Sequence, residues 1–215
     1  MLLNLTRHLH SVDLETKRGN WIKPSGTSLN NKKVCLIGFG DIGRSMARKL
    51  LAFNMNVYVS DPGFEKRDGI IICNYNNNII INEELYKANI VSLDEALDNC
   101  DVICITCSLN ESTYHIVNKE NILKTKKGVI IVNVARGPVV CENDVIELLE
   151  SKHIKAIGFD VFEVEPLPED SKLRDYPQNF FGSHNGSNTV EGVDKTSHIA
   201  IKKISEYLSA EKIGV

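Results

Sequence analysis

The run Lys33-Val-Cys-Leu-Ile-Gly-Phe-Gly-Asp-Ile-Gly43 limits what this chain can fold into more than any other feature. Val34 to Ile37 read as a buried strand, Gly38 to Gly43 as a tight turn, and the residues from about Arg44 as the body of a helix. Gly38 permits the turn, Gly40 lets another group approach the backbone with no Cβ between them, and Gly43 lets the helix lie close on the strand. A second apolar run, Val57-Tyr58-Val59, leads to Asp61, eighteen residues after Gly43.

A lone glycine string is weak evidence, since glycine turns are common and some open onto other nucleotide-like ligands such as S-adenosylmethionine. The strand before it, the helix after it and the acid beyond make it a dinucleotide-binding arrangement. The free N–H groups and positive end of the helix face the phosphates, and Asp41 and Ile42 of the loop are expected against the cofactor as well. Asp61 accepts from the adenosine ribose hydroxyls, and its charge repels a 2′-phosphate. The expected cofactor is NAD rather than NADP.

The rest of the chain agrees with such a fold. Continuous apolar runs are read as strands at 34–38, 56–60, 101–106, 128–133, 154–159 and 179–182, alternating with helices at 42–53, 94–99, 111–124, 142–151 and 189–208. Runs such as Val129-Ile-Ile-Val132 suit a sheet covered on both faces, and the alternation predicts an α/β, Rossmann-type, doubly wound parallel sheet. Residues 1–30 are expected to form a helical arm and linker, 31–209 the dinucleotide-binding domain and 210–215 a tail. Leu2, Leu5, Leu9 and Val12 recur at helical spacing, so residues 2 to about 18 read as one amphipathic helix ended by Gly19. The last helix is expected to start at Asn188, with Glu191 completing a near capping box, and to cover the sheet through Val193, Ser197, Ile201, Ile204 and Leu208. In doubly wound sheets ligands sit at the carboxyl ends of the strands. That rule puts Cys107, Ser108, Val134, Ala135, Arg136, Asp160 and His184 on the same rim as the glycine loop.

Composition excludes several classes. A net charge of −3 gives no reason to expect a nucleic-acid partner. No apolar run is long enough to span a membrane, and Met1-Leu-Leu-Asn-Leu-Thr-Arg turns polar too soon for a secretory signal; the expected location is the cytoplasm. Cys104-Ile-Thr-Cys107 matches CxxC by letter. It runs along a strand rather than at a helix N-terminus, and no second CxxC or histidine pair accompanies it, so neither redox use nor a metal is expected. Gly69 to Ile81 places two isoleucine triplets around an Asn-rich stretch. It reads as a hairpin with an Asn turn, serving as an oligomer contact or as a tolerated insertion, with no chemistry assigned to it.

Three further segments stand in order: Ile131-Val-Asn-Val-Ala-Arg-Gly137, Gly158-Phe-Asp-Val-Phe-Glu-Val-Glu-Pro166 and Gly182-Ser-His-Asn-Gly-Ser-Asn-Thr189. With the glycine loop they resemble the D-isomer-specific 2-hydroxyacid dehydrogenases, the family of phosphoglycerate, glycerate and D-lactate dehydrogenases. The likeness runs from the first helix to about Lys203. It implies hydride transfer between NAD and a small 2-hydroxy or 2-keto acid, 3-phosphoglycerate-like acids included.

Arg136 matches the family's substrate arginine; a guanidinium grips a carboxylate through two parallel bonds and polarises the adjacent keto oxygen. His184 matches the acid–base histidine, which takes the hydroxyl proton or returns it near neutral pH. Glu165 matches the carboxylate that orients this ring and favours its charged form. Asp160 matches the acid near the nicotinamide end of the cofactor, and Cys107, Ser108, Val134, Ala135 and Gly186 fall where the family approaches the cofactor. A histidine without such neighbours is more often structural, and the other five are read as surface residues.

The chain departs from the family at Ser108 and Ser183, where proline is common, and at Asn185, commonly aliphatic. It also starts at what resembles the inter-domain or dimer-arm helix. The substrate lid of full-length members is therefore expected from a separate chain, or to be dispensable, or to be absent. The resemblance also implies a homodimer through the arm. Two rival readings stand beside this one: a non-catalytic NAD(H)-sensing module, and a different Rossmann enzyme such as a methyltransferase. The second leaves the segments around Arg136, Glu165 and His184 unexplained.

Overall fold

Seven strands form one parallel sheet in the order β10-β9-β8-β7-β1-β2-β6; six of them fall on the predicted apolar runs, and the short edge strand β6 is not among those expected. They are β1 (Lys33–Ile37), β2 (Asn56–Ser60), β6 (Asn89–Ile90), β7 (Val102–Ile105), β8 (Val129–Asn133), β9 (Ile154–Phe159) and β10 (Phe180–Phe181). The computed structural model describes residues 1–75, 78–80, 85 and 87–211. The chain divides into two compact units, Met1–Ser183 and His184–Val215.

In the first unit the central strands are apolar along their length because both faces of the sheet are covered. Val34, Cys35 and Leu36 of β1 and Ile103 and Ile105 of β7 are fully buried. Cys35, Ile37, Ile103, Ile105 and Ile131 pack on one face with Leu97 of α4 (Leu93–Leu97), Ile122 of α5 (Lys119–Leu123) and Leu148 of α6 (Glu142–Glu150). Val34, Leu36 and Val57 pack on the other with Ala47 and Leu50 of α3 (Asp41–Ala52).

Asp101 closes the end of the sheet away from the strand carboxyl termini. Burial alone would raise its pKa, but the Lys33 N–H and the Lys126 and Lys32 ammonium groups prevail and lower it.

The order of strands reverses at β1, which lies between β2 and β7. This is the switch point at which a doubly wound sheet leaves a crevice at the strand carboxyl ends.

Several local expectations are corrected. The first helix is two helices, α1 (Leu2–Arg7) and α2 (Leu9–Lys17), broken at His8, whose φ of 55° is left-handed. Leu5 of α1, 4% exposed, lies on β9, where a Cβ on Gly158 would come 2.9 Å from its Cδ1. Burial of one leucine contributes about 2 kcal/mol.

The helix read at 111–124 is only α5. Ahead of it the Asn110 side chain accepts from the N–H groups of Ser112 and Thr113, and the Thr113 hydroxyl donates to Ser108 O. Short polar side chains here outcompete helical backbone bonds.

The Ile/Asn-rich segment forms its hairpin and adds a third strand. β3 (Phe64–Arg67), β4 (Ile70–Cys73) and β5 (Asn78–Ile80) make an antiparallel sheet. β3 and β4 turn at Asp68-Gly69, where both residues have positive φ, a strong hairpin signal in the sequence that the isoleucine triplets overshadow. Of the expected Asn turn, Asn76 and Asn77 lie outside the described residues, as do residues 212–215 of the expected tail.

In the second unit α7 (Val190–Glu211) is capped by Thr189 rather than Asn188, the Thr189 hydroxyl accepting from Gly192 N–H at 3.0 Å. Val193, Ile201, Ile204 and Leu208, expected to cover the sheet, are exposed. The helix belongs to the smaller unit, which buries none of them. Among the described residues no helix is long and apolar enough to cross a membrane.

Candidate functional site

The crevice at the switch point is a cleft of about 760 Å3. Its floor is the glycine loop, with Gly38, Gly40, Asp41 and Arg44. Its sides are Ser60 and Asp61 after β2, and Thr106, Cys107 and Ser108 after β7. Asn110 and Thr113 stand further along, with Phe64, Cys73 and Tyr75 opposite.

Sterics shape the glycine loop. Gly38 has φ 94°, and a Cβ there would fall 2.6 Å from the Cys107 N and Cα atoms. At Gly43 a Cβ would meet Gly38 O at 2.3 Å, so α3 lies directly on the turn. Thr106 locks the same place, its hydroxyl donating to Gly38 O at 2.9 Å. At Gly40 a Cβ would meet nothing within 4 Å. The loop thus presents bare backbone to the cleft beside the N-terminus of α3, where the helix dipole favours an anion. Asp41 in that first turn pairs with Arg44, which brings a cation to the cleft wall.

Asp61 is fixed from two sides. Oδ2 accepts from Phe39 N–H at 2.7 Å and Oδ1 from Gly63 N–H at 2.8 Å. These bonds hold the carboxylate at the mouth of the glycine loop. Bare backbone, a helix N-terminus and a fixed acid in one cleft fit the diphosphate and adenosine ribose of a dinucleotide.

The expected cofactor residues divide into four groups. Gly38, Gly40, Asp41, Asp61, Cys107 and Ser108 line the cleft. Gly43 is buried beneath the loop, and Ile42 is exposed in the first turn of α3. Val134, Ala135 and Asp160 stand at the carboxyl ends of β8 and β9, further along the rim; Gly186 lies in the second unit. Cys104 and Cys107 carry free thiols. Burial pushes their pKa values up to about 12 and about 11, so the CxxC match holds two poor thiolates.

Arg136 and Glu165 occupy neighbouring loops of the first unit. Fully buried Asn133 shapes the Arg136 loop, its Nδ2 donating to Arg136 O and its Oδ1 accepting from Ala135 N–H, each at 3.0 Å. Gly137 lies so close to the next loop that a Cβ would fall 1.8 Å from Phe162 O. On that loop Glu165 Oε1 accepts from Phe162 N–H at 3.0 Å. Both Arg136 and Glu165 are exposed. His184 begins the second unit; its backbone is left-handed, with φ 56°.

Sequence reasoning missed four features here. Asn133 was visible in its motif but received no role. His115, read as a surface residue, is half-buried and paired with Glu163 at 2.5 Å, and its N–H donates to Pro138 O. It joins the loop preceding α5 to those of Arg136 and Glu165. His153 is half-buried too, against Ile122 O and the Thr125 hydroxyl. Chain-distant partners of this kind leave no local pattern. Tyr75 and Cys73, from the segment given no chemistry, line the cleft.

A doubly wound parallel sheet with a glycine-floored cleft at its switch point defines a dinucleotide-binding domain. Residues 1–186 match the family model described as D-isomer specific 2-hydroxyacid dehydrogenase, NAD binding domain. The chain belongs to this family and its cofactor is NAD.

It is 34% identical over 196 residues to D-3-phosphoglycerate dehydrogenase of Bacillus subtilis (strain 168), covering 89% of this chain and 34% of that protein. It is 34% identical over 212 residues to hydroxypyruvate reductase of Thermotoga maritima, covering 97% and 64%. The crystal structure of a glyoxylate reductase from Paecilomyes thermophila superposes with a TM-score of 0.80 at 29% identity, covering 95% of this chain and 58% of that one. The chain thus spans between about one third and two thirds of these relatives.

Proposed function

We propose that this chain provides the cofactor-binding and acid–base part of an enzyme that interconverts a small D-2-hydroxy acid and its 2-keto acid. The observation that carries the reading is Arg136. Buried Asn133 anchors its loop at the carboxyl end of β8, and that loop lies against the one bearing Glu165.

Arg136 binds the substrate carboxylate through its planar fork and draws electron density from the neighbouring carbonyl oxygen. Bound NAD supplies the hydride acceptor, or donor in the reverse direction. His184 takes the hydroxyl proton as the carbonyl forms and returns it in reduction. Glu165 orients the imidazole and stabilises its charged form. The names of the relatives suggest hydroxypyruvate, glyoxylate or a 3-phosphoglycerate-like acid as substrate. Six free cysteines fit a reducing compartment such as the cytoplasm.

The test is NADH oxidation by the purified chain against hydroxypyruvate, glyoxylate, pyruvate and phosphohydroxypyruvate, with His184→Ala alongside. Turnover on one of these acids is expected to fall about 100-fold or more in the variant. Equal turnover by the two proteins would remove His184 from the mechanism. Saturable NADH binding without turnover on any acid would favour an NAD(H)-sensing module instead.

A further inference from the structure

We propose that Tyr75 is a gate at the adenosine end of the cleft: its phenol holds Asp61 where a ribose hydroxyl binds, and cofactor binding exchanges one for the other. The proposal rests on the dinucleotide reading of the cleft and not on the acid–base chemistry.

Tyr75 Oη donates to Asp61 Oδ1 at 3.2 Å, and the same oxygen accepts from Gly63 N–H. A carboxylate oxygen offers two in-plane lone pairs. With these two donors Oδ1 is filled, while Oδ2, bonded to Phe39 N–H, keeps one open. A ribose diol binds a carboxylate best with one hydroxyl on each oxygen, so the phenol has to leave before both can bind.

The surroundings let it leave. The ring lies over Gly63, where a Cβ would fall 1.8 Å from Tyr75 Cε2, and edge-on to Phe64 at 6.1 Å. Phe64 is in turn edge-on to buried Phe39 at 5.2 Å, next to the glycine loop. Tyr75 itself is 71% exposed, so the displaced hydroxyl goes to water. Desolvation and the Asp61 charge push the phenol pKa above its ordinary value, so it remains a donor at neutral pH. The hydroxyl's share of the cost of opening the gate is about one net hydrogen bond, equivalent to roughly two- to tenfold in affinity; moving the ring off Gly63 and Phe64 is common to tyrosine and phenylalanine.

Tyr75→Phe keeps the ring and removes the competing donor. NADH titrations by fluorescence are expected to give a dissociation constant roughly two- to tenfold lower for this variant than for the wild type. NADPH gains nothing, because its 2′-phosphate has no hydrogen to donate and meets the bare carboxylate. The NADH gain should vanish when Tyr75→Phe is compared in an Asp61→Ala background, with melting curves confirming that each variant is folded. A merely structural tyrosine would weaken NADH binding when altered. Unchanged or weaker NADH binding by Tyr75→Phe, or a gain that persists without Asp61, overturns the gate. No saturable NADH binding by the wild type overturns the cofactor reading, and the gate with it.

Discussion

The two walls of the cofactor cleft are built on opposite physical terms. One is the turn from β1 into α3, backed by fully buried Val34, Cys35 and Leu36. Gly38 and Gly43 touch backbone there at distances that leave no room for a methyl group. The other wall is the end of β4, where an exposed tyrosine is held by one hydrogen bond to Asp61 and by the contacts of its ring with Gly63 and Phe64. Close packing fixes the first wall in one shape, because a dense interior cannot yield by a few tenths of an ångström at low cost. The second wall exchanges protein and water partners nearly evenly, so ligands can move it.

Gly43→Ala is the severest test of that contrast. Its Cβ would fall 2.3 Å from Gly38 O, and the expected loss is roughly 3 kcal/mol or more of unfolding free energy in urea, together with NADH binding. Wild-type stability would mean that the first wall yields after all.

Gly40→Ala separates fold from ligand within the same wall. The residue has φ −64° and open space around a new Cβ. Stability should stay within about 0.5 kcal/mol of wild type, while NADH binding weakens roughly tenfold, or 1.4 kcal/mol. Undiminished binding would show that no phosphate approaches Gly40.

Gly69→Ala probes the antiparallel side, in the β3–β4 turn. There φ is 79° and a Cβ meets nothing, so only backbone strain is added, about 1 kcal/mol. NADH affinity should change less than twofold. A larger change would mean that the turn and the Tyr75 wall move as one.

The legible parts of the molecule are those whose cause is local. Apolar runs located six of the seven parallel strands to within a residue or two because both faces of the sheet exclude water; β6, two residues at the edge, has no such run. The helix read at 111–124 failed where Asn110 and Thr113 satisfied the backbone with their own side chains. The role of Tyr75 was hidden because its partner lies fourteen residues earlier, on the far side of the β3–β4 hairpin. The same holds for His115, whose carboxylate partner is forty-eight residues away.

The sequence by itself determined the glycine loop, the acid after β2, the alternation that makes the sheet parallel, and the order of the segments around Arg136, Glu165 and His184. The first three follow from backbone sterics or from the period of apolar residues, which neighbours along the chain suffice to express; the last is legible through its resemblance to the family. Only the tertiary structure decided that His115 joins the loops of the rim and that the Ile/Asn-rich segment delivers a phenol to Asp61. Those contacts depend on where separate loops meet, and short-range hydrogen bonds form only once the packed sheet has brought their partners together.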